Sequence, residues 1–162
     1  MRTAVSYLLL FVALILQSTL GQACTIFGVA PNLVLTLAVC LCLTGEPLWS
    51  AVFGLVAGLL LDISGGQIVG FEAILMLYLG LGASLFGNYC FRGNVHVTAI
   101  TVFGATFIYQ TVFVLAGLFL FGNGSFGAAL RTIFLESFYN AAVAVPCHYL
   151  IKRVRGYRMR DF

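Results

Sequence analysis

Gly54-Leu55-Val56-Ala57-Gly58-Leu59-Leu60-Leu61-Asp62-Ile63-Ser64-Gly65-Gly66-Gln67-Ile68-Val69-Gly70 sets glycines and one carboxylate into an otherwise apolar run. At about 100° per residue, Ala51, Gly54, Gly58 and Asp62 fall within roughly an 80° arc of one helix face. That face is smooth, small and ends in a charge. A stripe of small residues lets a second helix backbone come close, so the spacing predicts a packing seam and not a lipid-facing surface. The run breaks at Ser64-Gly65-Gly66, and Gly70 precedes a new apolar segment, which reads as helix, tight turn, helix.

The rest of the chain has the same character. Of 162 residues, 62% are hydrophobic and only 8% are charged, which excludes a soluble globular domain and leaves no room for a separate catalytic domain. The expected fold is an all-α integral membrane protein, a single polytopic domain over residues 1–162. Its spans fall at about 4–20, 32–44, 48–63, 71–88, 95–121 and 126–151, and residues 152–162 form a basic tail. The 4–20 run has a cleaved signal peptide as its rival reading, since it is short and is followed by the small residues Gly21-Gln22-Ala23. Pro31-Asn32 opens the second span, where proline is best tolerated. That span is brief, reaching only about 20 Å against a usual hydrocarbon thickness of about 30 Å.

Charge orients the helices. Arg2, Arg92 and the cluster Lys152, Arg153, Arg155, Arg158 and Arg160 all fall on one side of a six-span plan. By the positive-inside rule that side is the cytoplasm, with both termini there, and the tail can meet anionic lipid head groups. A nucleic-acid role does not fit so small a patch.

Polar residues inside spans are the remaining signals. Arg131 can snorkel to the outer surface or pair with Asp62; the alternative is that each meets head groups or backbone. Glu136 aligns with Asn140, Val143 and Cys147, either as a polar stripe facing a cavity or partner, or, the favoured reading, as a buried carboxyl held by hydrogen bonds. Pro146 predicts a kink in the last span. Glu72 sits in a first helical turn, where unpaired amides favour a carboxylate. The five cysteines lack metal or disulfide spacing and read as small apolar residues, while His96 and His148 read as loop or interfacial. Catalytic residues, cofactor-binding residues and metal ligands are not expected, because the chain offers no nucleophile with a base, no phosphate loop and no carboxylate pair at catalytic spacing.

Four places in this pattern resemble a known family, the bacterial rod shape-determining protein MreD. They are Pro31-Asn32; the run Gly58 to Gly66 with Asp62, followed by Gly70; Asn140 with Pro146; and the basic Lys152-Arg153-Val154-Arg155. The resemblance implies a non-enzymatic scaffold or regulator of cell-elongation peptidoglycan synthesis in the bacterial inner membrane. Its partners would be the bitopic protein MreC, the MreB filament and the wall synthase with its penicillin-binding protein, with a homo-oligomer also open. It implies a fold similar to the substrate-binding subunit of energy-coupling-factor transporters, and structural or partner-binding importance for Gly54, Gly58, Asp62, Gly65, Gly66, Gly70, Pro31, Asn32, Asn140 and Pro146. The competing reading is a small-molecule-binding subunit of the vitamin-transporter type, with a pocket lined by Gln67, Glu72, Tyr78 or Gln110.

Overall fold

The structure is a computed structural model that describes residues 2–20, 28–65, 70–90, 94–121 and 126–155. Among these residues there are six helices: α1 (Arg2–Leu20), α2 (Leu33–Cys42), α3 (Pro47–Gly65), α4 (Phe71–Tyr89), α5 (Val95–Phe121) and α6 (Phe126–Arg155). Helices α3, α4 and most of α5 are long and apolar enough to cross a membrane. Gly66, Gln67, Arg92, Cys24 and the tail beyond Arg155 lie outside the described residues.

The centre of the bundle is α2. It touches every other helix, and nine of its ten residues, Val34 to Cys42, are buried. At about 15 Å it is half the usual hydrocarbon thickness. The short second span expected from the sequence is therefore a core helix enclosed by its neighbours. Such a helix needs partners from the protein for its unpaired end groups.

Both ends meet that condition. At the start, Asn32 is the N-cap, its Oδ1 accepting from the Leu35 amide at 3.0 Å. Gln17 of α1 accepts from the Val34 amide at 3.0 Å, and Asn140 of α6 accepts from the Asn32 amide at 2.9 Å. Pro31 thus sits one place before the cap, not in the first helical position. At the far end the Ser50 hydroxyl of α3 donates to the Cys42 carbonyl at 3.1 Å. The Ser84 hydroxyl of α4 donates to the Gly45 carbonyl at 2.8 Å.

Helices α3 and α4 form the tightest pair. A Cβ at Gly54 would be driven into the Met76 carbonyl, one at Gly58 into Ala73 and the Glu72 carbonyl, and one at Gly80 into the Ser50 carbonyl. At the other end Gly87 lies against the Leu43 carbonyl. The small stripe is a backbone-to-backbone seam, as its spacing predicted, and α4 contributes glycines to it as well. Gly65 is different: its Cβ would meet nothing within 4 Å. Helix α6 packs on α5 and α2 and continues through Pro146 to Arg155.

Candidate functional site

The buried carboxylates Asp62, Glu72 and Glu136 lie where α3 ends, where α4 begins and where α5 and α6 pass each other. Gly70 is the N-cap of α4, held at φ 88°, a left-handed conformation that glycine adopts without strain. It has no side chain with which to cap the helix. Asp62, eight residues earlier on α3, supplies the acceptor: Oδ2 takes the Gly70 and Ala73 amides at 3.0 and 3.1 Å, and Oδ1 takes the Glu72 amide at 3.3 Å. A carboxylate at a helix start also meets the positive end of the helix dipole.

Asp62 thus meets backbone, one of the readings its sequence allowed, and Glu72 stands in the first turn of α4 as expected. The bonds that Asp62 makes are to backbone, and the Asp62–Arg131 pair is not among them; Arg131 is exposed on α6. Glu72 instead accepts a hydrogen bond from the Tyr109 hydroxyl of α5, and both side chains are buried.

The next residue along α5 serves the opposite neighbour. Gln110 donates its side-chain amide to Glu136 of α6, and Glu136 is also hydrogen-bonded to Asn140. Asn140, fully buried, donates through Nδ2 to the Thr106 hydroxyl at 3.3 Å while its Oδ1 accepts from Asn32. The stripe Glu136–Asn140 is thus a hydrogen-bonded joint between α2, α5 and α6. Toward the other end of the same pair, the Thr98 hydroxyl lies 2.9 Å from His148 Nδ1, so His148 joins α6 to α5 there.

Gln17, Thr106 and Tyr109 were not singled out for these bonds. A faint signal exists for α5, where Thr98, Thr106 and Gln110 recur at multiples of four in an apolar helix and so share a face. Tyr78, expected to line a pocket, is 67% exposed. Cys40, Cys42, Cys90 and Cys147 are free thiols, and among the described residues no group of His, Cys, Asp and Glu could hold a metal ion.

No protein-family model matches the chain, and neither a curated protein nor a solved structure matches it. What the geometry can do is hold helices together: each buried carboxylate and amide of the cluster is engaged with a neighbouring helix.

Proposed function

We propose that the chain is a six-pass protein of the bacterial cytoplasmic membrane, with both termini in the cytoplasm, and that it acts as a non-enzymatic scaffold of cell-elongation peptidoglycan synthesis in the manner of MreD. Its partner is an MreC-like bitopic protein, through which it meets the MreB filament and the wall synthase with its penicillin-binding protein. One observation carries the reading: Gly58, Asp62, Asn32 and Asn140, which belong to the places that resemble MreD, serve as joints. Asp62 clamps α3 to α4, the Gly54–Gly58 seam brings their backbones together, and Asn32 with Asn140 ties the core helix to α6. Residues spent on rigidity suit a platform for partners, and the hydrogen-bonded Asp62, Glu136 and Asn140 suit a bilayer, where an unsatisfied polar group costs several kcal/mol.

Depleting the protein in a rod-shaped host tests this. Cells are expected to round up, and an MreC-like protein is expected to co-purify from their membranes. Rods that persist after depletion, with no such protein recovered, would overturn the scaffold role. A thermal shift of the purified protein with a vitamin would favour the transporter-subunit reading instead. Cysteines placed at the two termini are expected to be labelled only from the cytoplasmic side, and periplasmic labelling of either would overturn the six-pass plan.

A further inference from the structure

The helices do not share one apolar length. On α3 the apolar stretch from Leu48 to Ile63 lies between the exposed Glu46 and the exposed Ser64 and covers about 24 Å. Leu48 is 79% exposed and Ile63 82%, so this face is open out to both of its ends. On α4 the stretch from Phe71 to Gly87, which stops at the exposed Asn88, covers about 25 Å, and its one carboxyl, Glu72, is buried. The other side of the bundle is longer. Helices α5 and α6 are held level by the polar rungs Gln110–Glu136, Thr106–Asn140 and Thr98–His148, and the stretch of α6 between Arg131 and Lys152 covers about 30 Å. The ring of Phe71 stands 6.3 Å from that of Phe113, so α4 begins beside Phe113. Helix α5 runs on from there for about 12 Å to Phe121, with Phe119 88% exposed.

We propose that the outer face of the α3–α4 pair is a lipid-binding surface that holds the bilayer against it about 6 Å thinner than the usual hydrocarbon thickness of about 30 Å. A helix pair shorter than the bilayer thins it, reaches back to the head groups with flanking side chains, or hides in an oligomer. Tilting gives no relief, because it shortens the span further. Sliding one helix along the other to lengthen the pair is barred as well: Gly54, Gly58 and Gly80 set the two backbones against each other, so α3 and α4 move as one body. Reaching back takes a long flexible cation, and among the described residues the ends of this face carry Glu46, Ser64 and Asn88. Helix α6 has such side chains, Arg131 and Lys152, at its ends. The exposed residues between Glu46 and Ser64 are Leu48, Val52, Leu59 and Ile63, aliphatic groups that suit acyl chains and offer a second copy of the chain nothing to hydrogen-bond. The lipid therefore yields, and on one side of the bundle only. The inference rests on α3 and α4 crossing the membrane, which the proposed function shares, and not on the scaffold role.

Thermal unfolding of the purified protein in phosphatidylcholine vesicles with dimyristoleoyl, dioleoyl or dierucoyl chains tests it. The midpoint is expected to be highest in the thin dimyristoleoyl bilayer and to fall by several degrees at each step to longer chains. Changing Glu46→Leu, Ser64→Leu and Asn88→Leu together extends the apolar band at exposed positions, and is expected to move the optimum to dioleoyl chains. The comparison reads where the optimum lies, so a general loss of stability in the variant does not disturb it. Should the triple variant fail to fold, Ser64→Leu with Asn88→Leu carries the same expectation. A parent optimum at dioleoyl or dierucoyl chains overturns the inference. So does a midpoint indifferent to chain length, and a crosslinked dimer found with it would give the face to a second copy. A variant that keeps the parent's optimum overturns the assignment to this face. If alkaline carbonate strips the protein from the vesicles, the membrane-spanning reading falls too, whereas an integrated protein with no chain-length preference sinks the thinning alone.

Discussion

Asn140 Oδ1 accepts the backbone N–H of Asn32 at 2.9 Å, across 108 residues of chain, and so fastens the start of the core helix to the last helix of the bundle. The same side chain donates to Thr106, and Asn140 is fully buried. Removing it strands a buried amide and a hydroxyl together. Asn140→Ala is therefore expected to cost about 1–3 kcal/mol for each group left unsatisfied. Thermal unfolding in detergent reads the loss, and a melting midpoint equal to the parent's would contradict the joint.

The α3–α4 seam separates glycines that are required from one that is not. Gly54→Ala and Gly58→Ala drive a methyl into backbone atoms of α4, which cannot move aside without parting the helices. Each is expected to lower the midpoint markedly. Gly82, on the exposed side of α4, meets nothing, so Gly82→Ala is expected to be neutral or to stabilise by about 0.4–1 kcal/mol through the unfolded chain. Equal effects at Gly58 and Gly82 would count against the seam.

Asp62→Ala leaves three amides at the start of α4 without their acceptor. Hydrogen exchange at Gly70, Glu72 and Ala73 is expected to accelerate, with about 1–3 kcal/mol of stability lost. Asp62→Asn keeps one acceptor oxygen and is expected to fall between the two. If Arg131→Ala matched Asp62→Ala in size and the double substitution added nothing, the pairing of these two charges would be restored as the better account.

Gln110 and Glu136 are expected to behave as a unit. Glu136→Leu alone leaves the half-buried Gln110 amide without its acceptor, whereas changing Gln110→Leu as well removes both polar groups. The double variant should be more stable than Glu136→Leu, with a coupling of about 0.5–3 kcal/mol in the double-mutant cycle. Additive losses would mean that the two side chains act independently.

How much of this could be read from the residues differs by level. Helix limits were legible because apolar runs are cut by Gly, Pro and Asn: the spans read at about 48–63, 71–88 and 95–121 lie close to α3, α4 and α5. The glycine seam was legible because a helical period is a one-helix property. Asp62 was legible as important, but the choice between Arg131 and backbone as its partner was not, since backbone amides leave no trace in residue identity. The α2 helix read as a thin span because a segment buried on all sides lacks a polar face, as does one that lies in lipid. The α5–α6 rungs depend on the register of two helices, which neither helix specifies alone. The orienting charges Arg92 and the residues beyond Arg155 lie outside the described structure.

Because α2 has nearly every side chain covered by other helices and is too short to rest in lipid unaided, its place exists only once the later helices have been made. The Val34 and Leu35 amides find their acceptors within the first 32 residues, whereas the Asn32 amide waits for a side chain 108 positions downstream, so the mouth of the central helix is sealed only when the two ends of the chain have met.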